Sequence, residues 1–462
     1  MRSPLSLKSI NEIYCMRDGR SFTRPFRSRL KNKSISSRSY VRRLLDSPGT
    51  AGRHRVKQGF PKGREEELMK KEVAVIGVGQ SSFVRGYEGS IRELAFEAFR
   101  EAMQDAGITQ KEVDASIFCS APEYDKQRSP AGVLAEYLGL IPQPTLYVET
   151  VCSSSSSGLK VAYGLIKSGL HDVVVVLGFQ KMSEITSAES QERMGRGADI
   201  QWEAPFGTMM PAYYALYAQA YMAKHGVTHD DLMKVRIKAS TYGVINERAV
   251  YRKPVKPEDF KQGDPEAKMG APVAWPLRVG DCCANADGSS CIILANAEKA
   301  KVMTKKPIWI IGIGAASEAV NMAARPDFSK GLSVGYAAAA EAYRMAGITA
   351  KEIKVAEVHD CFTIAEIMAY EGLGFAPVGE GKQLIREKAT YKEGRIPVNV
   401  DGGLLSKGHP IGATGGSQIR TIVLQLRGDA GPMQVSGEPD IGLVHNIGGV
   451  GLYGNVTIFA KD

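Results

Sequence analysis

Four short segments of the 462-residue sequence carry side chains that could do chemistry, and the first is built around Cys152. This cysteine opens a run of serines, after an apolar stretch typical of a strand (145–148) and before a stretch with helical spacing (159–169). Unpaired N–H groups and the dipole at a helix N-terminus lower the pKa of a thiol. The pattern therefore favours a reactive nucleophile over a serine linker around a structural cysteine.

The second segment places His359 and Cys361 in one turn, between a strand and a predicted helix over Thr363–Gly372. An imidazole and a thiol in so short a turn rarely serve packing alone. A metal site would require further ligands at metal spacing, and the sequence offers none. We therefore predict acid–base or nucleophilic chemistry here, and no metal.

The other two segments present histidines beside glycines. The loop 402–416, which contains SKGHPIGATG, lacks the GK[ST] ending of a phosphate-binding loop, and its glycines instead allow a tight turn that presents His409. His445 stands on a strand that runs into Gly448 and Gly449, whose N–H groups could face a ligand.

The net charge of +9 suggests a nucleic-acid or anionic-membrane partner, but its distribution argues against both. Residues 1–68 hold 17 Lys and Arg against 6 Asp and Glu, which leaves the rest of the chain at −2. No apolar stretch approaches the roughly 20 residues of a membrane helix. We expect no nucleic-acid partner and no membrane span.

Residues 1–68 form a basic segment that we expect to be disordered. It resembles an organelle transit peptide in being rich in Arg and Ser, and it could also bind an anionic partner. A third interpretation is upstream sequence read from too early a start codon. Residues 63–67, just before Leu68 and Met69, can all be encoded by purine-only codons, as in a bacterial ribosome-binding site. We hypothesise that the natural start is Met69.

The seven cysteines are scattered and form no CxxC pair, which argues against a disulfide framework or a structural zinc site. Free cysteines of this kind indicate a reducing compartment. We expect the cytoplasm of a bacterium or archaeon, or an organelle matrix if residues 1–68 are a transit segment.

Internal similarity predicts how these segments are positioned. AGITQKEV at 106–113 recurs as AGITAKEI at 346–353, and each copy follows an Ala-rich helix and an apolar strand with a GxG turn. Neither turn completes a GxGxxG dinucleotide motif. The repeat predicts a duplicated α/β protein with an N-terminal half at 69–303, a C-terminal half at 304–462 and an inserted loop domain at about 183–275.

In their order and content, these segments resemble the thiolase superfamily from about Lys71 to the C-terminus. The HDCF turn and the HN-x-G end resemble sterol carrier protein 2 type thiolases and their bacterial and archaeal acetyl-CoA acetyltransferase-like relatives. The resemblance implies a duplicated thiolase fold, a layered α-β-α-β-α sandwich of two similar halves with an inserted loop domain.

The resemblance also implies a reaction. Thiolases cleave a 3-oxoacyl-CoA with coenzyme A into acyl-CoA and acetyl-CoA, or run the reverse Claisen condensation, through an acyl-cysteine. Cys152 would be the nucleophile, His409 would activate it, and His359 with His409 would bind the thioester oxygen. Cys361 would be the acid and base at the α-carbon. Backbone N–H groups of Cys152, Gly448 and Gly449 would form a second oxyanion hole, with His445 in a supporting role in place of the family's terminal cysteine.

Coenzyme A would be a substrate, with no permanently bound cofactor and no metal, and the context would be lipid or fatty-acid metabolism. A homodimer or homotetramer is expected. Two alternatives stay open: a condensing enzyme of the ketoacyl-synthase or hydroxymethylglutaryl-CoA-synthase type, which could use Asn446 beside the histidines, and a non-catalytic subunit paired with a zinc-ribbon and OB-fold protein. Aromatic and Met residues of the insertion could line an acyl pocket or pack its own core: Trp202, Phe206, Met209, Met210, Tyr213 and Tyr214.

Overall fold

The structure is a computed structural model that describes residues 71–124, 127–207, 209–325 and 327–462. The predicted basic extension 1–68 and the hypothetical start at Met69 lie outside the described residues.

Strands and helices alternate along the chain. The strands are β1 (Val73–Gln80), β2 (Ala115–Cys119), β3 (Thr145–Val148), β4 (Val173–Lys181), β5 (Pro272–Ala274), β6 (Leu277–Arg278), β7 (Asp287–Asn296), β8 (Ile308–Ser317), β9 (Val355–Glu357), β10 (Ile441–Gly448) and β11 (Tyr453–Ala460). The helices are α1 (Ile91–Ala106), α2 (Pro130–Tyr137), α3 (Ser154–Lys167), α4 (Ser187–Gly195), α5 (Met210–His225), α6 (His229–Ile245), α7 (Ala297–Met303), α8 (Ser333–Ala346), α9 (Thr363–Gly372), α10 (Gly381–Arg386), α11 (Gly403–Ser406) and α12 (Thr414–Arg427).

The sheet shows the predicted duplication in its pairing. Its order is β3-β2-β4-β7-β1-β8-β11-β10-β9, with β1 and β8 antiparallel at the centre. On one side β2 pairs parallel with β4, which is antiparallel to β7, which is antiparallel to β1. On the other side β9, β10, β11 and β8 repeat that pattern. In the place of β3, the second half has a single bridge between Ala356 and Val398.

Helices cover both faces of this sheet, which explains the apolar runs of its strands. Side chains alternate: Val73 and Val75 face an inner apolar cluster with α3 and α12, while Ala74 and Ile76 face an outer cluster with α1 and α8. α12 packs on strands of both halves and on α3. The inner helices α3 and α12 therefore lie between the two halves of the sheet, and α1 and α8 cover its outer face. This confirms the layered α-β-α-β-α arrangement.

The two GxG pairs lie within strands, so the prediction of glycine turns is wrong. β1 continues through Gly79 to Gln80, and β8 continues through Gly314 to Ser317. A Cβ at Gly79 would strike the carbonyl of Ala98, and one at Gly314 would strike that of Ala338. The glycines therefore let α1 and α8 approach the sheet closely.

Between β4 and β7 the chain forms α4, α5, α6 and the β5–β6 hairpin. α5 packs against α9, and α6 packs against α9, α10 and α11, so this segment lies against the turns that follow β9. Among the described residues, none of the helices combines the length and apolar character that a bilayer-crossing helix needs.

Candidate active site

Cys152 lies in a strained turn at the start of a helix. It is the middle residue of a single 3₁₀ turn, Val151–Ser153, which leads directly into α3 at Ser154. Val151 has φ = 54°, an unfavourable conformation for a β-branched residue. Strain of this kind persists only where the surroundings enforce it, and it concentrates at functional sites. The half-buried Cys152 side chain is thereby presented at the N-terminal end of α3.

The serines after Cys152 fasten this turn to the second half, which excludes the flexible-linker interpretation. Ser155 Oγ accepts a hydrogen bond from the Gly416 N–H at 2.9 Å, and Ser156 Oγ donates to Asn446 Oδ1 at 3.0 Å. Ser153 to Ser156 are all buried. Small hydroxyls thus satisfy polar groups where the two central helices meet.

The structure brings Cys152 together with the two predicted histidines of the second half. Its Sγ and one ring nitrogen each of His359 and His409 all lie within 4.8 Å of one another. The two imidazole rings are nearly perpendicular, with centroids 5.1 Å apart. Residues from three distant segments thus converge on one point.

Hydrogen bonds assign the His359 tautomer. Gln418 Nε2 donates to the His445 carbonyl at 3.4 Å, which leaves Gln418 Oε1 to accept from Asn446 Nδ2 at 3.0 Å. That same Asn446 amide lies 3.0 Å from His359 Nδ1, which must therefore be the acceptor. Nε2 then carries the proton, and this buried nitrogen has no partner among the described residues. His359 is set up as a hydrogen-bond donor toward the shared space.

His409 is held as the opposite tautomer. Thr414 Oγ1 donates to the Pro410 carbonyl at 2.9 Å, so it accepts from His409 Nδ1 at 2.7 Å. Nε2 of His409 is then unprotonated and can accept a proton. One histidine of the pair can therefore donate while the other acts as a base.

Both imidazoles are neutral at physiological pH. Burial lowers the pKa of His409 to about 3, and it holds the pKa of His359 well below its usual value, with the neighbouring His409 adding to the effect. A neutral imidazole is the form that can act as a base.

Cys361 joins this site as a protonated thiol. Burial holds its pKa well above the usual value, although nearby Tyr214 acts in the opposite direction, and nearby Cys152 raises it further. Tyr214 stacks on Phe362 with ring centroids 4.5 Å apart, which closes one side of the thiol's surroundings. A thiol with a raised pKa can deliver a proton to a strong carbon base and recover it afterwards.

The ring of His445, to which we assigned a supporting role, lies on the opposite face of β10 from Asn446. Successive strand residues point to opposite faces, so Asn446 faces α3 and α12 while the His445 ring lies toward α8, where a Cβ on Gly335 would be 3.3 Å from its Nε2. Burial lowers the pKa of His445 to about 4. Asn446, one position along, holds His359 instead.

Gly448 ends β10 beside the nucleophile turn, and Gly449 follows it. A Cβ at Gly448 would strike the Thr150 carbonyl and approach Ser153, the residues on either side of Val151 and Cys152. Gly449 has φ = 61°, in the left-handed region that glycine tolerates. Only glycine at 448 allows this approach.

The sequence interpretation missed a segment that joins the two histidine turns. The Cys283 N–H donates to the Cys361 carbonyl at 3.0 Å, and the His409 N–H donates to the Ala284 carbonyl at 3.1 Å. Burial, followed by nearby Cys361, raises the pKa of the Cys283 thiol. No spacing in the sequence marks Cys282-Cys283 as part of the site, because its contacts there are made by the backbone.

Two buried ion pairs stabilise the segments next to the His359 and His409 turns. Lys407 pairs with Asp401, and Lys238 of α6 pairs with Glu366 of α9; all four side chains are inaccessible to solvent. Burial opposes ionisation of Asp401, yet Lys407 holds its pKa below the usual value. Removing one partner of such a pair costs about 3–5 kcal/mol.

The insertion residues divide between the two interpretations. Tyr213 and Tyr214 are buried, and Tyr214 contacts the Cys361 turn, whereas Trp202 and Phe206 are 70% and 83% exposed. Tyr214 therefore belongs to the site, while Trp202 and Phe206 are on the surface and pack in none of the apolar clusters formed by the described residues.

Cys152, His359 and His409 also make up a donor set that zinc accepts. The proton on His359 Nε2, required by the Asn446 contact, is incompatible with metal binding through that nitrogen. The absence of a metal stays a prediction.

Comparisons with known proteins agree with this geometry. The family model for the thiolase N-terminal domain matches residues 73–269, and the thiolase C-terminal domain-like model matches residues 314–461. An acetyl-CoA acetyltransferase of Methanothermobacter thermautotrophicus is 35% identical over 393 residues, covering 85% of this chain and all of that protein. Sterol carrier protein 2 of Bos taurus is 30% identical, covering 82% of this chain and 70% of that protein. The solved Ltp2-ChsH2(DUF35) aldolase superposes with a TM-score of 0.73 at 23% identity, covering 86% of this chain and 99% of that one.

Proposed function

The chain belongs to the thiolase family and is an acyltransferase, and we propose that it cleaves a 3-oxoacyl-CoA with coenzyme A through an acyl-Cys152 intermediate. The observation that carries the proposal is the convergence of the Cys152 thiol with a donor imidazole and an acceptor imidazole, all within 4.8 Å. Such a set can deprotonate a nucleophile and stabilise an oxyanion in one place.

The first step uses His409 as the base. Nε2 of His409 takes the proton of the Cys152 thiol, and the sulfur attacks the 3-oxo carbon. The Gly448 and Gly449 N–H groups are our candidates for the oxyanion formed there. The bond between that carbon and the α-carbon then breaks, and its electron pair passes to the acetyl-CoA unit as an enolate.

The second step uses Cys361 as the acid. Its thiol delivers a proton to the α-carbon and releases acetyl-CoA, while the His359 Nε2–H and the imidazolium of His409 bind the enolate oxygen. Coenzyme A then attacks the thioester on Cys152, and its thiol proton returns to Cys361. The Cys152 sulfur leaves the acyl group and recovers its proton from the His409 imidazolium. The raised pKa of Cys361 supports this assignment, because the thiol stays protonated until the carbanion forms.

Further assignments stay proposals. We place the halves at 69–303 and 304–462, supported by the repeated strand pairing. We propose a homo-oligomer, a cytoplasmic location, a role in fatty-acid or lipid metabolism and, since a fold neighbour's name includes a DUF35 component, a zinc-ribbon and OB-fold partner.

The test is a coupled assay of the full-length protein with acetoacetyl-CoA and free coenzyme A, with and without any partner that co-purifies from the native source. We expect two acetyl-CoA for each acetoacetyl-CoA consumed, and no turnover when coenzyme A is omitted. Hydrolysis without coenzyme A, or decarboxylation of malonyl-CoA by the same preparation, would replace this proposal with another reaction of the fold.

A further inference from the structure

A cavity of about 710 Å³ lies beside the turn between β10 and β11. Its walls come from α5, from the segment between β8 and α8 together with the start of α8, from the segment between α9 and α10, and from the turn itself. The apolar part of the lining is made by Tyr217, Phe328, Leu332, Tyr336, Ala337 and Val378.

Two connections place this cavity next to Cys152. Gly448 lies against Thr150 and Ser153, which are on either side of Val151 and Cys152, and Gly451, three residues later, lines the cavity. From the other side, Tyr214 contacts the Cys361 turn, and Tyr217, one helical turn further along α5, lines the cavity with its ring centroid 6.3 Å from that of Tyr214. Both connections are short: three residues separate Gly448 from the lining residue Gly451, and one helical turn separates Tyr214 from the lining residue Tyr217. An acyl group on the Cys152 sulfur would extend toward the cavity along either of them.

The charges at the cavity favour an uncharged occupant. Arg325 and Lys330 are balanced there by Glu318 and Asp327. Arg325 is also engaged in the wall, since it donates to the Tyr217 hydroxyl at 2.9 Å, to the Val450 carbonyl and to the Ala319 carbonyl. The phosphates of coenzyme A require surplus cations, which this lining lacks.

We propose that this cavity receives the acyl substituent of the 3-oxoacyl-CoA, so that the preferred substrates carry a bulky, uncharged, apolar acyl group. The inference rests on the proposed thiolase reaction and adds the substrate class. A methylene group occupies about the volume of a water molecule in the liquid, about 30 Å³, so a chain of about ten carbons takes about 300 Å³. The methyl group of acetoacetyl-CoA would leave nearly all of the cavity empty.

The experiment compares kcat/KM for acetoacetyl-, 3-oxohexanoyl-, 3-oxodecanoyl- and 3-oxo-3-phenylpropanoyl-CoA in the full-length protein. Each methylene that leaves water contributes up to about fourfold, so the six additional methylenes of 3-oxodecanoyl-CoA set an upper limit of about 4,000-fold over acetoacetyl-CoA. We expect at least about 100-fold, which is about twofold per methylene. A flat series, or a preference for acetoacetyl-CoA, would overturn the inference while leaving the thiolase reaction intact.

Substitutions that fill the cavity test whether the cavity itself sets the preference for long acyl groups. Ala337→Trp should lower kcat/KM for 3-oxodecanoyl-CoA by at least about tenfold and leave acetoacetyl-CoA within about twofold. The matched control is Ala340→Trp, one helical turn further along α8 at an exposed position outside the cavity lining, which should change neither. Val378→Trp fills the cavity from a different chain segment and should reproduce the selective loss.

Equal losses on short and long substrates in both filling variants would mean that the cavity holds a part common to all substrates, and the inference would be wrong. If the unsubstituted protein cleaves none of the four compounds, the thiolase proposal itself fails, and this inference fails with it.

Discussion

The two central helices, α3 and α12, occupy equivalent places in the two halves but present different chemistry. Each precedes the strand that pairs in parallel within its half, β4 or β10, and the two helices pack on each other between the sheet halves. α3 begins after the strained Val151 and presents Cys152, whereas α12 begins at Thr414, which holds His409. The two halves therefore share the same helix packing, but each contributes different chemical groups to the reaction.

The groups near the start of each helix determine which part of the reaction that half carries out. The first half supplies one nucleophile, held by a strained backbone and a run of small hydroxyls. The second half supplies the proton-handling groups, His359, Cys361 and His409, backed by Asn446 and buried ion pairs. An acyl group can therefore be held by one half while protons are moved by the other.

The largest expected effect concerns the nucleophile. Cys152→Ala should lower kcat for 3-oxoacyl-CoA cleavage by at least about 10⁴-fold, because the acyl intermediate cannot form. The matched control is Cys283→Ala, a nearby half-buried thiol that belongs to the same half but has no assigned chemical role, and it should stay within about fivefold. Comparable losses in both variants would refute a single nucleophile.

The next effect tests the base at the start of α12. His409→Ala should lower kcat by about 10²- to 10⁴-fold, the usual contribution of a positioned acid or base. Thr414→Val removes the acceptor that sets the His409 tautomer and should cost about tenfold in kcat with little change in KM. If Thr414→Val matches His409→Ala in KM as well as kcat, Thr414 supports the fold rather than the tautomer.

A smaller effect is expected at Asn446. In Asn446→Asp the carboxylate would accept from His359 Nδ1, which moves the proton from Nε2 and removes an oxyanion donor worth about 10²-fold in kcat. Asn455→Asp is the matched control, since Asn455 lies directly opposite on β11 but bonds to Ser157. Steady-state kinetics of both variants should separate them; equal effects would contradict the tautomer assignment.

The smallest effect is in the pH dependence. The folded pKa values of His409 (about 3) and His445 (about 4) lie below the ordinary value of about 6.5. Between these values the unfolded chain binds more protons, so the free energy of unfolding falls as pH drops below about 6.5. Thermal denaturation should show this loss of stability, while kcat/KM should show no inflection near pH 6.5. An inflection there would mean that the site histidines titrate normally.

The sequence was sufficient for the architecture and for most of the site. The AGIT repeat and the GxG pairs predicted the duplication, because equivalent helices must approach equivalent strands in both halves. Cys152, His359, Cys361 and His409 stood in motifs that the structure brings together. The sequence did not show that Asn446, rather than His445, contacts His359. Neighbouring residues of a strand face opposite sides of the sheet, and composition does not reveal which of the two faces the site.

Two other features were beyond sequence reasoning for physical reasons. Cys283 takes part through its backbone N–H, which every residue except proline carries. The acyl cavity is formed by four segments that are distant in sequence, so its volume depends on packing that no local pattern records.

The division between the halves is tested most directly in Cys361→Ala. The full-length variant and the unsubstituted protein are each incubated with labelled acetyl-CoA and mapped by mass spectrometry, and their cleavage of a 3-oxoacyl-CoA is then measured. We predict that the label still reaches Cys152, because coenzyme A can leave as a thiolate without a proton from Cys361. Cleavage should fall by about 10²- to 10⁴-fold, because the carbanion leaving group depends on the proton transfer from Cys361. Loss of labelling together with cleavage, or labelling at another residue, would contradict the account.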